Sequence, residues 1–343
     1  MGIGDRRRRI VPIFAAICRN RLAAGGVHAR MKRTIPGASA VLLLLAACAA
    51  PGGRPGSSSS DSPSASPPAQ GAIDHPGGDE PVLVIEDVGG FAMVDMIATR
   101  LPSFVMLGDG RVIMQGAQTL EFPGPALPAL QERTLTEEGI QQVLGAIEET
   151  NLFTADLELR GAQAMVADAT DTVFHLNADG REVTVSVYAL GLLDPSMGAP
   201  QGVTASELEA HRLLSQLRDS LMTIDTAVSA DGWESEGWQP FQPEAFRLYV
   251  RDVTGEPLDD LAGQVREWPS DDDPATVGEE QPTFGNGTRC LVVDGDAAAT
   301  WLTELEAANQ NTRWTDSGDR RFSVQARPLL PGDKAECLDV VGG

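Results

Sequence analysis

The sequence is almost free of lysine: Lys32 and Lys334 are the only two in 343 residues, beside four histidines and four cysteines. No Ser-x-x-Lys nucleophile pair is therefore available, and the lysine of a phosphate-binding P-loop is missing. Gly-x-Ser-x-Gly and His-Glu-x-x-His are also absent. These absences predict no catalytic residues, no cofactor and no metal site, and they favour a protein that is not an enzyme.

Histidine is too sparse to form a metal site in sequence. His75, His175 and His211 are far apart and have no ligand spacing, so we expect each to lie at the surface or at the edge of a helix stripe. The acidic residues 271–273 and 279–280 have the oxygen ligands that Ca²⁺ prefers, but not the spacing of an EF-hand. A solvated acidic loop is the simpler interpretation.

Basic residues are few in the greater part of the chain. The full sequence has a net charge of −23, and residues 48–343 contain 17 basic and 48 acidic residues, a net charge of −31. Such a surface repels nucleic acid and anionic lipid headgroups. We therefore expect no nucleic-acid partner.

The apolar run from Ile35 to Ala47 is too short to span a bilayer. It follows Met31-Lys32-Arg33 and ends in Leu45-Ala46-Ala47-Cys48, which is the order of regions in an export signal. Leu-Ala-Ala-Cys resembles the lipobox of bacterial lipoproteins. The resemblance implies cleavage before Cys48, a diacylglycerol with palmitate-type chains on its sulfur, and attachment to the outer face of the cell membrane. The alternative is a chance cysteine in an alanine-rich run.

Residues 1–30 fit poorly as a working signal, because they carry seven arginines and the apolar run that follows is short. We expect translation to start at Met31, with residues 1–30 a mis-annotated upstream segment and residues 31–47 the signal peptide. The rival interpretation is a twin-arginine export signal at Arg8-Arg9, against which Pro12 counts.

Composition divides the rest of the chain into three parts. Residues 48–80 are rich in Pro, Ser and Gly and predict a flexible tether. Residues 81–226 and 240–343 each combine hairpins with single helices, so we predict two α+β sub-domains in which antiparallel sheets carry helices on one face. The expected hairpins span 104–114, 171–190 and 312–325, and further strands are expected at 82–85, 246–250 and 290–293. The expected helices follow Thr136, Thr204 and Asp296. A short helix is expected at 258–268.

Two groups of residues stand out in the second half. Cys290 and Cys337 form an even pair in an exported domain, which favours a disulfide over two buried thiols or a metal site. Trp233, Trp238 and Phe241, flanked by Gly and Pro, are a possible recognition surface, because aromatic rings stack on sugars or grip a partner. The alternative is that they fill the seam between the two halves.

Several segments resemble a group of uncharacterised lipoproteins from high-GC Gram-positive bacteria. They are residues 108–113, 124–127, 188–191 and 327–331, the last followed by Cys337. The resemblance covers most of residues 81–343 and implies a Gram-positive envelope and the Cys290–Cys337 pairing, but no activity.

The leading hypothesis is therefore a non-enzymatic, membrane-anchored envelope lipoprotein that binds a partner protein or a small ligand. Two alternatives stay open: a solute- or lipid-binding lipoprotein that serves transport, and a cell-wall hydrolase that uses paired carboxylates.

Overall fold

The computed structural model describes residues 71–193, 196, 198–258, 263–285 and 287–337. The predicted signal peptide, the predicted lipidation site Cys48 and most of the predicted tether lie outside these residues. None of the helices in the described part of the chain is long and apolar enough to cross a membrane.

The first sheet contains eight strands. They are β1 (Pro81–Gly89), β2 (Phe104–Leu107), β3 (Arg111–Gln115), β4 (Leu130–Thr134), β5 (Leu157–Leu159), β6 (Thr170–Ala178), β7 (Arg181–Tyr188) and β8 (Gln239–Pro240). Their order across the sheet is β5-β7-β6-β1-β2-β3-β4-β8. Neighbouring strands are antiparallel except β5 and β7, which are parallel. The turn between β6 and β7 places Asp179 and Gly180 at positive φ, which suits the Asp-Gly pair found there.

The second sheet contains six strands. They are β9 (Ala245–Asp252), β10 (Val265–Glu267), β11 (Glu279–Glu280), β12 (Arg289–Asp294), β13 (Arg313–Thr315) and β14 (Arg321–Pro328). Their order is β10-β13-β14-β9-β12-β11, and β10 pairs with β13 in parallel. Two sheets built mainly from antiparallel pairs confirm the predicted α+β class.

Five α-helices accompany the sheets. They are α1 (Val94–Ala98), α2 (Glu137–Glu149), α3 (Ala205–Met222), α4 (Ile224–Ala227) and α5 (Gly295–Glu306). The predicted starts of α2 and α3 are confirmed: the hydroxyl of Thr136 accepts from Gly139 N at 3.2 Å, and that of Thr204 accepts from Glu207 N at 3.1 Å. Each cap satisfies a backbone donor that the first turn leaves unpaired.

Helices α2, α3 and α4 cover one face of the first sheet. Strand residues of one parity, such as Phe104, Met106 and Phe174, are buried against this helical layer. Residues of the other parity, such as Val105 and Ile113, contact Leu330 from the C-terminal segment instead. The alternation follows from strand geometry, in which successive side chains point to opposite faces.

A short helix predicted at 258–268 is wrong where residues of that range are described. Residues 265–267 form β10, because β13 supplies the backbone partners: Arg313 N donates to Gln264 O at 2.8 Å and Trp268 N donates to Thr315 O at 2.8 Å. The cap of α5 also differs from the prediction. Asp294, rather than Asp296, is the N-cap residue, and its side chain makes no capping hydrogen bond.

The predicted tether does not extend to residue 80. Gln141 binds both backbone groups of Ile73, with each hydrogen bond at 2.8 Å, and Gly108 N donates to Glu80 O at 2.9 Å. Gly108 is required there, since a Cβ at this position would lie 2.1 Å from the carbonyl oxygen of Pro76. Residues 73–80 therefore belong to the folded part of the chain.

Both sheets lie within one compact unit. The first sheet ends at residue 240 and the second begins at residue 245. The change from one sheet to the other falls between residues 240 and 245, and the division into two domains at 81–226 and 240–343 stays a prediction.

Candidate functional site

A groove of about 440 Å³ opens beside β4 and β8 and is closed on its other side by the end of α5. Trp238 and Phe241 lie in its wall, together with Leu302 and Glu306 of α5. Its volume falls within the range of known small-ligand sites. Two of the three predicted recognition residues thus share one concave surface.

Trp238 is held in place on two sides. Its Nε1 donates to Asp225 Oδ2 at 2.8 Å, and the Trp233 ring makes an edge contact with 6.0 Å between ring centroids. Because the indole is fixed before any ligand arrives, little conformational freedom would be lost when its groove side is covered.

Arg133 connects these groups from strand β4. Its guanidinium lies 3.9 Å from the centroid of the Trp233 ring, and its Nη1 lies 2.5 Å from Asp225 Oδ1. Nη2 also donates to Ser235 O at 3.2 Å. We call Arg133, Asp225, Trp233 and Trp238 the Trp–Arg cluster; it combines a cation–π contact with charge-assisted hydrogen bonds.

Trp233 does not line the groove. It packs against the core beneath the first sheet and carries the Arg133 guanidinium on its ring. Phe241 reaches the groove because its backbone N donates to Leu130 O at 3.1 Å, while its ring packs near Val105 and Leu130. The three predicted residues therefore divide into two groove residues and one supporting residue.

The groove is nearly free of charge. Its polar side chains are those of Gln131, Gln239 and Gln242, and Glu306 carries the one charge among the residues that line it. Amide side chains offer both donors and acceptors beside the aromatic rings. This combination suits a neutral ligand with flat apolar faces and hydroxyl or amide groups.

No local sequence pattern identifies the Trp–Arg cluster. Arg133 lies 92 residues before Asp225, and β4 and the segment after α4 meet only in the folded sheet. A basic residue on a strand followed by a tryptophan-rich segment far downstream is too common a pattern to identify such a contact.

Residues 271–273 of the predicted acidic loop line a cleft of about 760 Å³, and Arg320 lines the same cleft. Arg320 Nη2 lies 2.6 Å from Asp273 Oδ1, and its Nε lies 2.6 Å from Asp316 Oδ2. Burial raises the pKa of Asp316, but the hydrogen bonds from Arg320 and from the Gly318 backbone outweigh it and leave that pKa below its ordinary value. Within the described ranges, no group of three or more His, Cys, Asp or Glu side chains lies where it could hold a metal ion.

The three histidines differ in their surroundings. His175 is exposed as predicted, with Nε2 3.2 Å from Glu86 Oε1. The side chain of His75 is only 11% exposed and lies against Glu137 at 3.2 Å, so it is not in a solvated tether.

The prediction that His211 lies at a helix edge is wrong. Its residue exposure is 3%, and neither ring nitrogen has a hydrogen-bond partner among the described residues. Desolvation lowers the pKa of His211 below its ordinary value, an effect that the charge of Glu207 partly offsets. The imidazole is therefore a neutral, unsatisfied group on the buried side of α3.

The predicted disulfide between Cys290 and Cys337 is confirmed, with 5.9 Å between the Cα atoms. It links β12 to the C-terminal segment, whose backbone also accepts hydrogen bonds from Arg247 at Glu336 O and Lys334 O. The bond lies beside Tyr249 and Phe284, away from the residues of the groove, so its role is structural.

The chain matches no known family model, no curated protein and no solved structure. The resemblance to lipoproteins of high-GC Gram-positive bacteria therefore stays a prediction.

Proposed function

We propose that this chain is a bacterial envelope lipoprotein, anchored by an acylated Cys48 to the outer face of the cell membrane, and that its folded region binds a ligand without catalysis. The order of basic, apolar and small residues from Met31 to Cys48 supports the anchor. The groove that contains Trp238 and Phe241 supports the binding role.

The observation that carries the proposal is the combination of fixed aromatic rings and amide side chains in one groove that is nearly free of charge. The Trp–Arg cluster holds the Trp238 ring, and Gln131, Gln239 and Gln242 lie beside it. Stacking on an aromatic ring and hydrogen bonding to amides are how proteins bind sugars, so a wall glycan is the ligand class that the groove fits best.

The test is a titration of the full chain with a soluble oligomer of N-acetylglucosamine, followed by tryptophan fluorescence and calorimetry. Saturable binding is expected, and Trp238→Ala combined with Phe241→Ala is expected to weaken it at least tenfold. Phe122→Ala is the matched control, because Phe122 is exposed and does not line the groove. Binding that is equal in all three proteins would refute the assignment of the groove.

A separate experiment in cells tests the proposed membrane anchor at Cys48. In cells, Cys48→Ser is expected to abolish incorporation of radiolabelled palmitate and to release the protein into the medium, while the unaltered protein retains both label and membrane attachment. Retained label in Cys48→Ser would refute the lipidation site.

The transport and hydrolase alternatives receive less support. The largely apolar cavity beneath Ile73 holds about 150 Å³, below the range of ordinary ligand sites, which does not favour a lipid carrier. The hydrogen bond from Arg212 lowers the pKa of Glu209, and those from Arg320 lower the pKa of Asp316 against the effect of burial, whereas a general acid for glycoside hydrolysis needs a raised pKa.

A further inference from the structure

Three loops at one end of the first sheet carry large exposed apolar side chains. They follow β1, precede β6 and follow β7. The exposed fractions are 91% for Phe91, 69% for Met93, 58% for Met96, 55% for Met165 and 62% for Leu192. Single exposed apolar residues are ordinary, but five of them on neighbouring loops require an explanation.

Hydrogen bonds join the three loops into one surface. Phe91 N donates to Asp168 O at 3.2 Å, which connects the first loop to the second. Tyr188 at the end of β7 ties down the second loop, because its Oη donates to Val166 O at 3.0 Å and accepts from Ala169 N at 3.1 Å. Met96 lies on the short helix α1 that continues the first loop. We call Phe91, Met93, Met96, Met165 and Leu192 the apolar loop surface.

The charge around the apolar loop surface is negative. Asp168 is exposed, and Arg160 is engaged by Glu158 at 2.6 Å and by Asp171 at 3.1 Å. The guanidinium of Arg100 donates hydrogen bonds to the backbone oxygens of Asp87 and Gly89. Four carboxylates near this surface, those of Asp87, Glu158, Asp168 and Asp171, outnumber the three guanidinium groups of Arg100, Arg160 and Arg218, and the rest of the chain adds its large negative charge.

We propose that the apolar loop surface binds a basic amphipathic helix of a partner protein. Methionine side chains are flexible and polarisable, so they adapt to the apolar face of a helix, and an acidic surround attracts its lysines or arginines. This surface is separate from the groove, so the proposal adds a protein partner to the proposed ligand.

The placement of the chain's N-terminal side argues against the anchoring membrane as the occupant. Asp74 and Asp179 exchange hydrogen bonds of 3.2 and 2.8 Å at the β6–β7 turn, where residues 73–80 join the fold. The apolar loop surface lies at the opposite ends of β6 and β7, and β6 is nine residues long, or about 30 Å. An acidic surround would also be repelled by anionic lipids.

The experiment measures fluorescence anisotropy of a labelled 15-residue model peptide with leucine and lysine at helical spacing, titrated with the full chain. Binding that weakens with salt is expected, and Phe91→Ser with Met96→Ser should weaken it at least tenfold. Leu120→Ser with Phe122→Ser is the matched control, since these two apolar side chains are exposed to a similar extent on another loop. All variants alter exposed side chains, and circular dichroism checks their folding.

Four results would overturn the proposal: no binding of the lysine peptide, equal binding of its glutamate counterpart, equal loss in the control variant, or capture of the protein by phosphatidylglycerol vesicles in place of the peptide. A dimer in sedimentation that Phe91→Ser and Met96→Ser dissolve would identify a second copy as the occupant and also overturn it. Trp238→Ala with Phe241→Ala should leave peptide binding unchanged, so this test is independent of the groove.

Discussion

The two sheets are stabilised by different means. The first sheet and its helices bury a large cluster made mostly of aliphatic side chains, including Leu83, Ile85 and Leu144. The second sheet has a smaller cluster in which aromatic rings dominate: the Trp301 ring centroid lies 5.0 Å from that of Trp268 and 5.2 Å from that of Trp314. A smaller core buries less apolar surface, so each large ring contributes more of its stability.

The smaller core is also supported by a disulfide, which the larger one lacks in the described residues, and by an ion pair. The disulfide fixes Cys337, and Arg327 binds both carboxylate oxygens of Asp333, at 2.7 and 3.1 Å. Arg327 Nε also donates to Arg100 O at 3.0 Å, which joins β14 to the segment between α1 and β2. The disulfide and the Arg327–Asp333 pair therefore hold the C-terminal segment against the second sheet, whose own core is the smaller one.

The largest effect expected from this comparison is that of the disulfide. A 47-residue separation between the two cysteines corresponds to about 4 kcal/mol in the chain-entropy description. Cys290→Ser with Cys337→Ser should lower the free energy of unfolding by about that amount. Hydrogen exchange should show the loss mainly in β9, β12 and β14, with β1 and β6 less affected.

The control for that measurement is the wild-type protein under reducing conditions, which should reproduce the variant, while reductant added to the variant itself should change nothing. Equal loss of protection in both sheets would show that they unfold as one cooperative unit. In that case the contrast between the two cores would not extend to their stability.

A smaller effect is expected at His211, which interrupts the otherwise apolar contact of α3. The folded state lowers the pKa of this imidazole, so the unfolded state binds more protons as the pH falls. The stability that the neutral imidazole contributes is complete above about 6.5, the ordinary histidine pKa that describes the unfolded state. It is lost as the pH falls from that value through the lowered pKa of the folded state. The first sheet should therefore be less stable in weak acid.

Replacing His211 with Leu removes two unsatisfied nitrogens and should stabilise the protein by about 1 kcal/mol at pH 7.5, with a larger gain at pH 5. Urea unfolding at both pH values measures the difference. His175→Gln is the control, because His175 is exposed and its replacement should preserve the acid sensitivity. An unchanged pH dependence in His211→Leu would assign the acid sensitivity to other groups.

Local patterns predicted the hairpins and the capped helices, and long-range pairings escaped prediction. The Gly-Asp-Gly and Asn-Ala-Asp-Gly turns and the caps Thr136 and Thr204 act within a few residues, so their physics is visible in sequence. The strands β5 and β10 are three residues long and depend on parallel partners, to which no local turn points. The same reason explains the mistaken helix at 258–268.

The candidate site was predictable only in part. Trp238 and Phe241 could be selected because aromatic residues among Gly and Pro are conspicuous, but the contribution of Arg133 and Asp225 depends on the register between β4 and β8. His211 was misplaced because it and Leu213 lie on opposite edges of the apolar stripe of α3, and the structure buries the His211 edge and leaves Leu213 only half-buried. Periodicity fixes a helix face to within about one residue position.

The smallest effects are expected from substitutions at two helix N-caps, one in the helical layer of each sheet. Thr136→Ala should lower the free energy of unfolding by about 1 kcal/mol, since it removes the acceptor for Gly139 N in the first turn of α2. Asp294→Ala, at the start of α5, should lower it by only a few tenths of a kcal/mol, since Asp294 makes no capping hydrogen bond and contributes only its charge near the helix N-terminus. Chemical denaturation at low and high salt separates the two, because salt screens the charge effect of Asp294 and leaves the Thr136 hydrogen bond nearly unchanged. Equal, salt-sensitive losses in both variants would mean that helix-terminal charge, rather than the threonine hydroxyl, determines the start of α2.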